Sequence, residues 1–360
     1  MKGGGYYSLA TIGAKHVIDN AIPLMQRAIA GMDVAGDPTP FVVTDMGCAD
    51  GGTSGDFLRA TIDAVRERAP RRPIQLIYTD QPRNDFNALL RLAHGADGQA
   101  DPIAARPGVH VVASATSFYR QIVPAGTLDL GFSATAMHWL SGKPCDISGH
   151  VQAVGAAGEE LAAFSRRGRQ DWQTILDHRA AELKPGGRLV LANFCRDAAG
   201  RYLGNTGGVS MFDTFNAIWR SFLADGTIGE SEYVAMTLPQ YYKTVAEFTA
   251  PLEDPANPAH RSGLRLDHAE TRVTPCPFAT DFRRHGDAAA FARSYIPTLR
   301  SWTESTFLGA LSPGRPLDER RAIIDRYYDR YEAMVRASPG GHGMDYVHCY
   351  MIVGKVGRPH

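Results

Sequence analysis

The feature that most constrains the fold of this chain is an alternation of short apolar runs with helix-like stretches. Five apolar runs with the length of buried strands occupy residues 41–47, 74–80, 109–113, 128–133 and 188–192. Helical spacing of apolar residues fills two of the intervals, at 54–68 and 159–183. This order of elements predicts an α/β fold with a Rossmann-like parallel sheet and helices on both of its faces.

Residues 200–340 show a different pattern, in which helical stretches are separated by linkers rich in proline and glycine. The helical stretches are 213–223, 288–306 and 317–337. One further apolar run, at 346–353, follows them. We therefore predict two units. Residues 1–199 and 341–360 form an α/β core, and residues 200–340 form a mostly helical cap that contributes to a substrate pocket.

The composition argues against several classes of protein. The 360 residues carry 38 basic and 38 acidic side chains, so no general attraction to nucleic acid or to a membrane surface is expected. No apolar run is long enough to span a bilayer, and the first residues lack the apolar stretch of a signal peptide. The five cysteines are scattered and form no C-x-x-C pair, which argues against a zinc site or a disulfide framework. We predict a cytoplasmic protein without a metal site.

A glycine-rich turn follows the first predicted strand, in the segment D-M-G-C-A-D-G-G that begins at Asp45. Glycines at this place let the backbone approach a ligand closely. Their spacing matches neither the G-x-G-x-x-G of dinucleotide sites nor the phosphate-binding G-x-x-x-x-G-K-[ST], which disfavours a nicotinamide-dependent oxidoreductase. The leading acid suits a ligand with a cationic amino-acid end and no phosphate. The alternative for this segment is an ordinary tight loop between a strand and a helix.

A second acid, Asp80, ends the second predicted strand. Nucleotide-binding sheets carry a ribose-binding carboxylate at about this point, and a carboxylate can accept hydrogen bonds from both ribose hydroxyls. The alternative is that Asp80 caps the next helix, a role that aspartate commonly has. The segment N-D-F-N that begins at Asn84 offers other capping residues.

Six short motifs stand in order along the chain. They are G-G-G-Y-Y-S from Gly3, D-M-G-C from Asp45, T-D-Q-P-R-N-D-F-N from Thr79, S-F-Y from Ser117, M-H-W-L-S from Met137 and P-G-G-R-L-V-L from Pro185. Together they resemble the SABATH family, the plant-type carboxyl methyltransferases of salicylate, benzoate and related acids, with the xanthine N-methyltransferases. The resemblance covers nearly the whole chain, and the segment from Thr79 is its most specific part. It implies a methyltransferase of secondary metabolism that uses S-adenosylmethionine, leaves S-adenosylhomocysteine, and converts a small carboxylic acid to its methyl ester.

The resemblance also implies which residues hold the cofactor. It assigns the turn after Asp45 to the methionine part, Asp80 and its neighbour to the ribose and the flank of the adenine, and the loop at Phe118 to the adenine ring. The implied cofactor-binding residues are Thr11, Asp45, Gly47, Cys48, Asp80, Gln81, Ser117 and Phe118. For Lys15 and His16, also near the N-terminus, the alternative is a simple solvated position.

For the acceptor, the resemblance implies that Trp139 donates its indole N–H to the substrate carboxylate, with His138 beside it in the catalytic motif. It also assigns Trp219 and Phe291 to the aromatic wall of the substrate pocket. The alternatives are that Trp139 only packs in the core and that His138 is a structural polar group.

The chain departs from the family at three positions. Ala14 stands where relatives have a glutamine that binds the substrate carboxylate. Thr135 replaces a common tyrosine, and Thr53 replaces an asparagine after the glycine turn. These departures leave the methyl-donor site intact and change the acceptor site.

The implied reaction needs no catalytic base, because a carboxylic acid with an ordinary pKa of about 4 is already ionised at neutral pH. Holding its oxygen in line with the leaving sulfur supplies a large part of the reduction in the activation barrier. An N- or phenolic O-methyltransferase is the alternative, and it would need a base, for which His138 is the candidate. A cofactor-binding subunit that has lost catalysis is a further alternative, and the resemblance suggests a homodimer.

Overall fold

The strands form a mixed sheet with a Rossmann-like order. The computed structural model describes residues 11–98 and 100–356. Its strands are β1 (Phe41–Met46), β2 (Ile74–Thr79), β3 (Val109–Ser114), β4 (Leu128–Ala134), β5 (Leu183–Arg196), β6 (Lys243–Thr244), β7 (Leu264–Thr274) and β8 (Tyr346–Lys355). Within the described residues the strand order is β3-β2-β1-β4-β5-β8-β7, and the short β6 pairs with β5.

The helices occupy most of the intervals between these strands. They are α1 (Ile12–Asp19), α2 (Ile22–Ala30), α3 (Gly55–Arg68), α4 (Phe86–His94), α5 (Gly158–Glu182), α6 (Met211–Ala224), α7 (Glu230–Ala235), α8 (Val245–Glu253), α9 (Pro258–Arg261), α10 (Pro277–His285), α11 (Ala288–Ala310) and α12 (Leu317–Ala337). No helix in the described part of the chain combines the length and the apolarity needed to cross a bilayer.

Helices pack against both faces of the sheet. On one face, apolar side chains of α1, α2 and α3 join those of α6, α11 and α12 in a single core. On the other face, α5, α8 and α9 pack against β5 and β8. Because both faces are covered, β1 and β4 are buried along their whole length, which explains why their sequences are mostly apolar and do not alternate with polar residues. The predicted α/β fold is confirmed.

The strand order reverses between β1 and β4, which are parallel neighbours. β2 and β3 lie on one side of β1, and β4 and β5 lie on the other. In open α/β sheets a crevice forms outside the carboxyl ends of the strands at such a reversal. The segments that follow β1, β2 and β4 therefore begin at the edge of one crevice.

The sheet differs from the prediction at its β7 edge. β8 runs antiparallel to β5, and β7 runs antiparallel to β8, so the sheet is not parallel throughout. β7 has no apolar run that would predict a strand, because an edge strand that is partly exposed needs none. Residues 264–274 belong to the main sheet although they lie inside the predicted cap of residues 200–340. The division of the remaining chain into core and cap stays a prediction.

A partly buried network of ion pairs ties the amino ends of the central strands together. Arg72, before β2, forms ion pairs with Asp37 at 2.9 Å and with Asp129 of β4 at 3.0 Å. Lys184 of β5 reaches the same two carboxylates at 2.7 and 2.9 Å. Asp129 also accepts the backbone N–H of Val42 at 2.9 Å. Each buried charge at this end of the sheet thus has a partner within the protein.

Candidate active site

A cavity of about 540 Å³ lies at the carboxyl ends of the central strands. One wall, here called the acidic wall, consists of the lining residues at and after the ends of β1, β2 and β3, within 45–54, 80–85 and 117–118. The opposing set, here called the neutral wall, comes mainly from the start of α1, the segment 134–140 at the end of β4, and parts of β5, α11 and β8. The cavity therefore lies where the strand order predicts a ligand site.

The two walls differ in charge. The charged side chains of the acidic wall are Asp45, Asp50, Asp80, Arg83 and Asp85. Among the described residues that line the neutral wall there is no Asp, Glu, Lys or Arg. The acidic wall suits a ligand that carries positive charge, whereas the neutral wall suits an apolar body with a few hydrogen-bonding groups.

Gly47 lets the turn after β1 pass close to the neutral wall. Its φ is +81°, in the left-handed region that favours glycine. A Cβ at this position would lie 2.5 Å from the Cβ of Ala136 and 3.8 Å from a ring carbon of Phe118. The turn is held to β2, because the N–H groups of Gly47 and Cys48 donate to the carbonyl of Thr79 at 2.8 and 3.2 Å. Only glycine fits this turn without displacing the opposite side of the cavity.

Asp45 is a buried carboxylate at the end of β1. Its side chain accepts a hydrogen bond from the hydroxyl of Ser54 at 2.6 Å. None of the ion pairs among the described residues involves Asp45. Burial raises the pKa of Asp45 to about 7; the charge of Asp80 adds to this shift, and the hydrogen bond from Ser54 opposes it. A cation from a ligand would offset the cost of this buried charge.

Asp80 is held by the backbone at the end of β2. One carboxylate oxygen accepts the N–H of Ala49 at 2.9 Å, and the other accepts the N–H of Gln81 at 2.7 Å. Burial raises the pKa of Asp80, and these two hydrogen bonds oppose the shift. The cap of α4 is Asp85, which accepts from the N–H of Ala88 at 3.1 Å, so the capping alternative for Asp80 is wrong. Each oxygen of Asp80 keeps a lone pair for a further donor.

The loop that carries Ser117 and Phe118 is fixed by a buried ion pair that the sequence analysis missed. Arg179 and Glu182 of α5 are fully buried and pair at 2.6 Å. Arg179 donates to the carbonyls of Phe118 and Arg120, both at 2.9 Å. Glu182 accepts the N–H of Val123 at 3.4 Å and also that of the residue before it. The i, i+3 spacing of Arg179 and Glu182 does not predict that they hold this loop, because surface helices routinely carry pairs with the same spacing.

His138 and Trp139 follow β4 and line the cavity on the neutral wall. Burial holds the pKa of His138 well below its usual value, and His348 and Lys243 lower it further. Its ring meets that of Phe194 edge-on at 4.7 Å. Trp139 is half-buried, its carbonyl accepts the hydroxyl of Tyr119 at 2.5 Å, and no hydrogen bond among the described residues uses its indole N–H. His138 is thus a neutral, weakly basic group.

Two predicted pocket residues lie elsewhere. Trp219 is fully buried between helices, with its ring 5.2 Å from Phe307 and 5.9 Å from Tyr327. Phe291 is stacked on Tyr295 at 5.4 Å and does not line the cavity. Both assignments are corrected, because these side chains fill the space between the helices and the sheet rather than the wall of the cavity.

Other side chains occupy the wall instead. Trp302 and Thr306 of α11 line it, together with Tyr346 at the start of β8. Helical periodicity identifies the apolar face of α11 but does not show which of its aromatic residues reaches a cavity. Tyr346 opens a predicted strand, which gave no signal of a site role.

The remaining positions discussed from the sequence also divide into those that line the cavity and those that do not. Thr11, Ala14 and Thr135 line the cavity. Thr135 has φ +54°, which is uncommon for a β-branched residue, and its N–H donates to the carbonyl of Ala192 at 2.9 Å. Lys15 is paired with Asp19 and Asp56 and is not among the residues that line the cavity.

The reversal of the strand order, the glycine turn and the acidic wall are the features expected of a Rossmann-like methyltransferase that uses S-adenosylmethionine. Residues 2–337 match the family described as SAM dependent carboxyl methyltransferase. The chain therefore belongs to this family, and the predicted family is confirmed.

Individual relatives agree with this assignment. Methyltransferase LUC1 of Fusarium sp is 29% identical over 260 residues, which cover 71% of this chain and 66% of that protein. Indole-3-acetate O-methyltransferase 1 of Arabidopsis thaliana is 25% identical over 281 residues, which cover 69% of this chain and 70% of that protein. The structure of a loganic acid methyltransferase with S-adenosylhomocysteine superimposes with a TM-score of 0.77, at 19% identity, over 99% of both chains. At that identity the structural likeness shows the fold alone.

The acidic wall fits the cofactor of the family. S-Adenosylmethionine carries a sulfonium and an ammonium group, and the wall offers two aspartates without an ion pair among the described residues. The glycine turn brings its backbone close to the neutral wall, because a Cβ on Gly47 would lie 2.5 Å from the Cβ of Ala136. Phe118 adds a ring that can cover a nucleobase. No group of three His, Cys, Asp or Glu side chains in the described residues could hold a metal ion.

Proposed function

We propose that this chain transfers the methyl group of S-adenosylmethionine to the carboxylate of a small acid with a largely apolar body. The observation that carries the proposal is the division of charge between the two walls of the cavity. One wall offers buried negative charge for a cationic cofactor, and the other offers aromatic rings and neutral donors for an acceptor. The cofactor supplies an electrophilic methyl group on a positively charged sulfur.

In this proposal the acidic wall binds the cofactor. Asp45 receives the ammonium end and Asp80 accepts from the ribose hydroxyls through its remaining lone pairs. Phe118 and Ser117 hold the adenine, with Gln81 at its flank. Thr11, Gly47 and Cys48 complete the contacts as lining residues. The Arg179–Glu182 pair keeps the adenine loop in place.

The neutral wall binds the acceptor without a protein cation. Trp139 donates its indole N–H to one carboxylate oxygen, and a single donor leaves the attacking lone pair free. The anionic acceptor finds its counter-charge in the cofactor, so a lysine or arginine on this wall is not needed. Enclosure by the aromatic side chains removes water from the nucleophile.

The state of His138 favours a carboxylate over a phenol or an amine. A phenol or a ring nitrogen that carries a proton must lose it during transfer, and a base works best when its pKa lies near the working pH. Burial keeps the pKa of His138 well below its usual value, so it is a poor base at neutral pH. A carboxylate needs no such group, because it is already ionised.

The test is a transfer assay with cofactor labelled in the methyl group, run against a panel of aromatic and aliphatic acids at neutral pH. We expect a product that gains one methyl group and loses it in mild base, as an ester does. The variant Trp139→Phe keeps the ring and removes the donor, so turnover efficiency should fall roughly tenfold to hundredfold with unchanged affinity for S-adenosylhomocysteine. A base-stable methyl group, or wild-type turnover by Trp139→Phe, would contradict the proposal.

The homodimer rests on the family resemblance, whereas the location and the lack of a nucleic-acid or membrane partner rest on the balanced charge and the scattered cysteines. We propose a homodimer in the cytoplasm, with a substrate from secondary metabolism and no nucleic-acid or membrane partner. Light scattering on the purified chain measures the mass in solution, and a monomer at micromolar concentration would contradict the dimer.

A further inference from the structure

A hydrogen bond joins the loop at Phe118 to the segment that carries Trp139. The hydroxyl of Tyr119 donates to the main-chain carbonyl of Trp139 at 2.5 Å. Tyr119 directly follows Phe118, and the two rings lie 4.7 Å apart. Phe118 lines the acidic wall and Trp139 lines the neutral wall, whereas Tyr119 is not among the described residues that line the cavity. The two walls are thus connected through a side chain that belongs to neither.

The loop around Tyr119 is held by α5. Arg179 of that helix donates to the carbonyls of Phe118 and Arg120, which flank Tyr119 in the chain, at 2.9 Å each. Arg179 is itself fully buried and paired with Glu182 at 2.6 Å. The main chain that carries the phenol ring therefore has little freedom, and the hydroxyl of Tyr119 is a fixed donor.

The peptide group after Trp139 is held at both of its polar atoms. Its carbonyl, that of Trp139, accepts from Tyr119, and its N–H, that of Leu140, donates to the carbonyl of Pro239 at 2.8 Å. Because a peptide group is planar, two hydrogen bonds on opposite sides fix its rotation. That rotation sets the ψ angle of Trp139 and with it the direction of the indole side chain.

The helix that holds the loop also holds the segment after Trp139. Asp171 of α5 is 5% exposed and accepts from the N–H and the hydroxyl of Ser141 at 2.8 and 2.7 Å. Burial raises the pKa of Tyr119, and the charge of Asp171 adds to this shift, so the phenol keeps its proton at neutral pH and can donate. One helix therefore serves as a common frame for the cofactor loop and the acceptor segment.

We propose that Tyr119 is a positioning residue for the acceptor: it orients the peptide of Trp139 so that the indole N–H meets the substrate carboxylate. The proposal rests on the proposed function, since it needs Trp139 as the donor. A misplacement of about 1 Å by a residue remote from the reaction can cost about a hundredfold in rate, so a bond that fixes this peptide affects turnover. The S-F-Y motif then serves both halves of the site, with Phe118 toward the cofactor and Tyr119 toward the acceptor.

The primary test is Tyr119→Phe, which keeps the ring and its contact with Phe118 and removes only the hydroxyl. With the best acid of the panel, turnover efficiency should fall roughly tenfold. Affinity for S-adenosylhomocysteine should stay unchanged, because Arg179 and not the hydroxyl holds the loop. Titration of each variant with S-adenosylhomocysteine also counts the folded sites, to which turnover is normalised.

A double-mutant cycle with Trp139→Phe separates positioning from a merely structural role. If Tyr119 acts through the indole N–H, Tyr119→Phe should add little to the loss already caused by Trp139→Phe, because the donor that it orients is gone. A structural role would add the same loss in both backgrounds. Binding of the acid to the complex with S-adenosylhomocysteine should show the same pattern as turnover.

Tyr327→Phe is the matched control, because it also removes a tyrosine hydroxyl that donates to a main-chain carbonyl, that of Phe215 at 3.1 Å. Tyr327 is fully buried and is not among the described residues that line the cavity. This variant should lower thermal stability to a similar degree as Tyr119→Phe and leave turnover efficiency close to that of wild type.

The outcomes distinguish the two proposals. If wild type methylates no acid of the panel, the proposed function fails and the role of Tyr119 fails with it. If wild type methylates an acid and Tyr119→Phe does so equally well, the role of Tyr119 is overturned and the proposed function stands. The same conclusion follows if Tyr119→Phe causes equal losses with and without Trp139→Phe, or if Tyr327→Phe lowers turnover as much.

Discussion

The two ends of the central sheet treat buried carboxylates in opposite ways. At the amino ends, burial alone would raise the pKa of Asp37, but hydrogen bonds from Lys184 and Thr39 hold this pKa well below its usual range. At the carboxyl ends, burial raises the pKa of Asp45 to about 7, and only the hydroxyl of Ser54 opposes the shift. Burial acts on carboxylates at both ends, and among the described residues only those at the amino ends form ion pairs with cationic side chains.

This difference in the pairing of the carboxylates indicates that the two ends of the sheet have different roles. A buried charge that is paired inside the protein contributes to a unique fold, and removal of its partner is costly. A buried carboxylate without a protein cation destabilises the free protein, and a cationic ligand that binds only the folded state relieves that cost. The amino ends are thus built for stability, and the carboxyl ends are built for a ligand.

The largest effect is expected from Arg72→Met at the amino ends. Arg72 is 7% exposed, and its loss leaves two carboxylates with Lys184 as their remaining cation. Breaking a buried pair in this way should lower the free energy of unfolding by about 3 kcal/mol. Urea denaturation measures the loss, and titration of the folded variant should show an unchanged affinity for S-adenosylhomocysteine.

The control is Arg91→Met, which removes an exposed pair with Asp97 and should leave the free energy of unfolding nearly unchanged, because solvent screens such a pair. The comparison of the two ends fails if Arg72→Met weakens cofactor binding while stability is retained.

Asp80→Ala is the matching change at the carboxyl ends. It removes the acceptor proposed for the ribose hydroxyls and should weaken binding of S-adenosylhomocysteine by about 1.5–3 kcal/mol, the range for a hydrogen bond to a charged group. Its effect on unfolding should be smaller than that of Arg72→Met, because no ion pair among the described residues is broken. Calorimetric titration and urea denaturation give both numbers. Equal affinities of wild type and variant would remove Asp80 from the site.

The pKa of Asp45 predicts how cofactor affinity and stability depend on pH. Its folded value of about 7 lies above the value of about 3.9 expected in the unfolded chain. The folded state therefore holds more protons between these values, and this group makes the free protein less stable as pH rises from about 4 to 7. The raised pKa of Asp80 acts in the same direction.

Because the ionised form of Asp45 binds the cation, affinity for S-adenosylhomocysteine should rise with pH, by up to about tenfold per unit, and level off above pH 7. Calorimetry between pH 5.5 and 7.5 tests this. Asp45→Asn should bind more weakly and with a flatter pH dependence. A wild-type affinity that is constant across this range would mean that Asp45 does not meet the cation.

The sequence predicts the acids at the carboxyl ends of the strands better than the aromatic side chains that line the cavity. Asp45 and Asp80 could be assigned because they end apolar strands, and the topology of a parallel sheet brings such ends together. Trp219 and Trp302 could not be told apart, since both are aromatic residues on helices and only packing decides which one meets a cavity. β7 was missed because an edge strand with an exposed face carries a mixed sequence. Gly13 lies where a Cβ would come within 2.3 Å of the ring of Tyr346, and no local sequence pattern predicts a contact between residues so far apart in the chain.

The smallest effect concerns backbone strain beside Asp80. Ala49 has φ +50°, donates its N–H to Asp80 and accepts the side-chain amide of Asn84 at 2.6 Å. An alanine in this left-handed conformation is strained by about 1 kcal/mol relative to glycine. Ala49→Gly should therefore be nearly neutral for stability, since relief of strain offsets the greater freedom of the unfolded chain. Ala64→Gly, in the interior of α3 with ordinary helical geometry, should cost about 1 kcal/mol. Urea denaturation of both variants decides the point, and equal losses would mean that the carboxyl-end turn stores no strain for the ligand site.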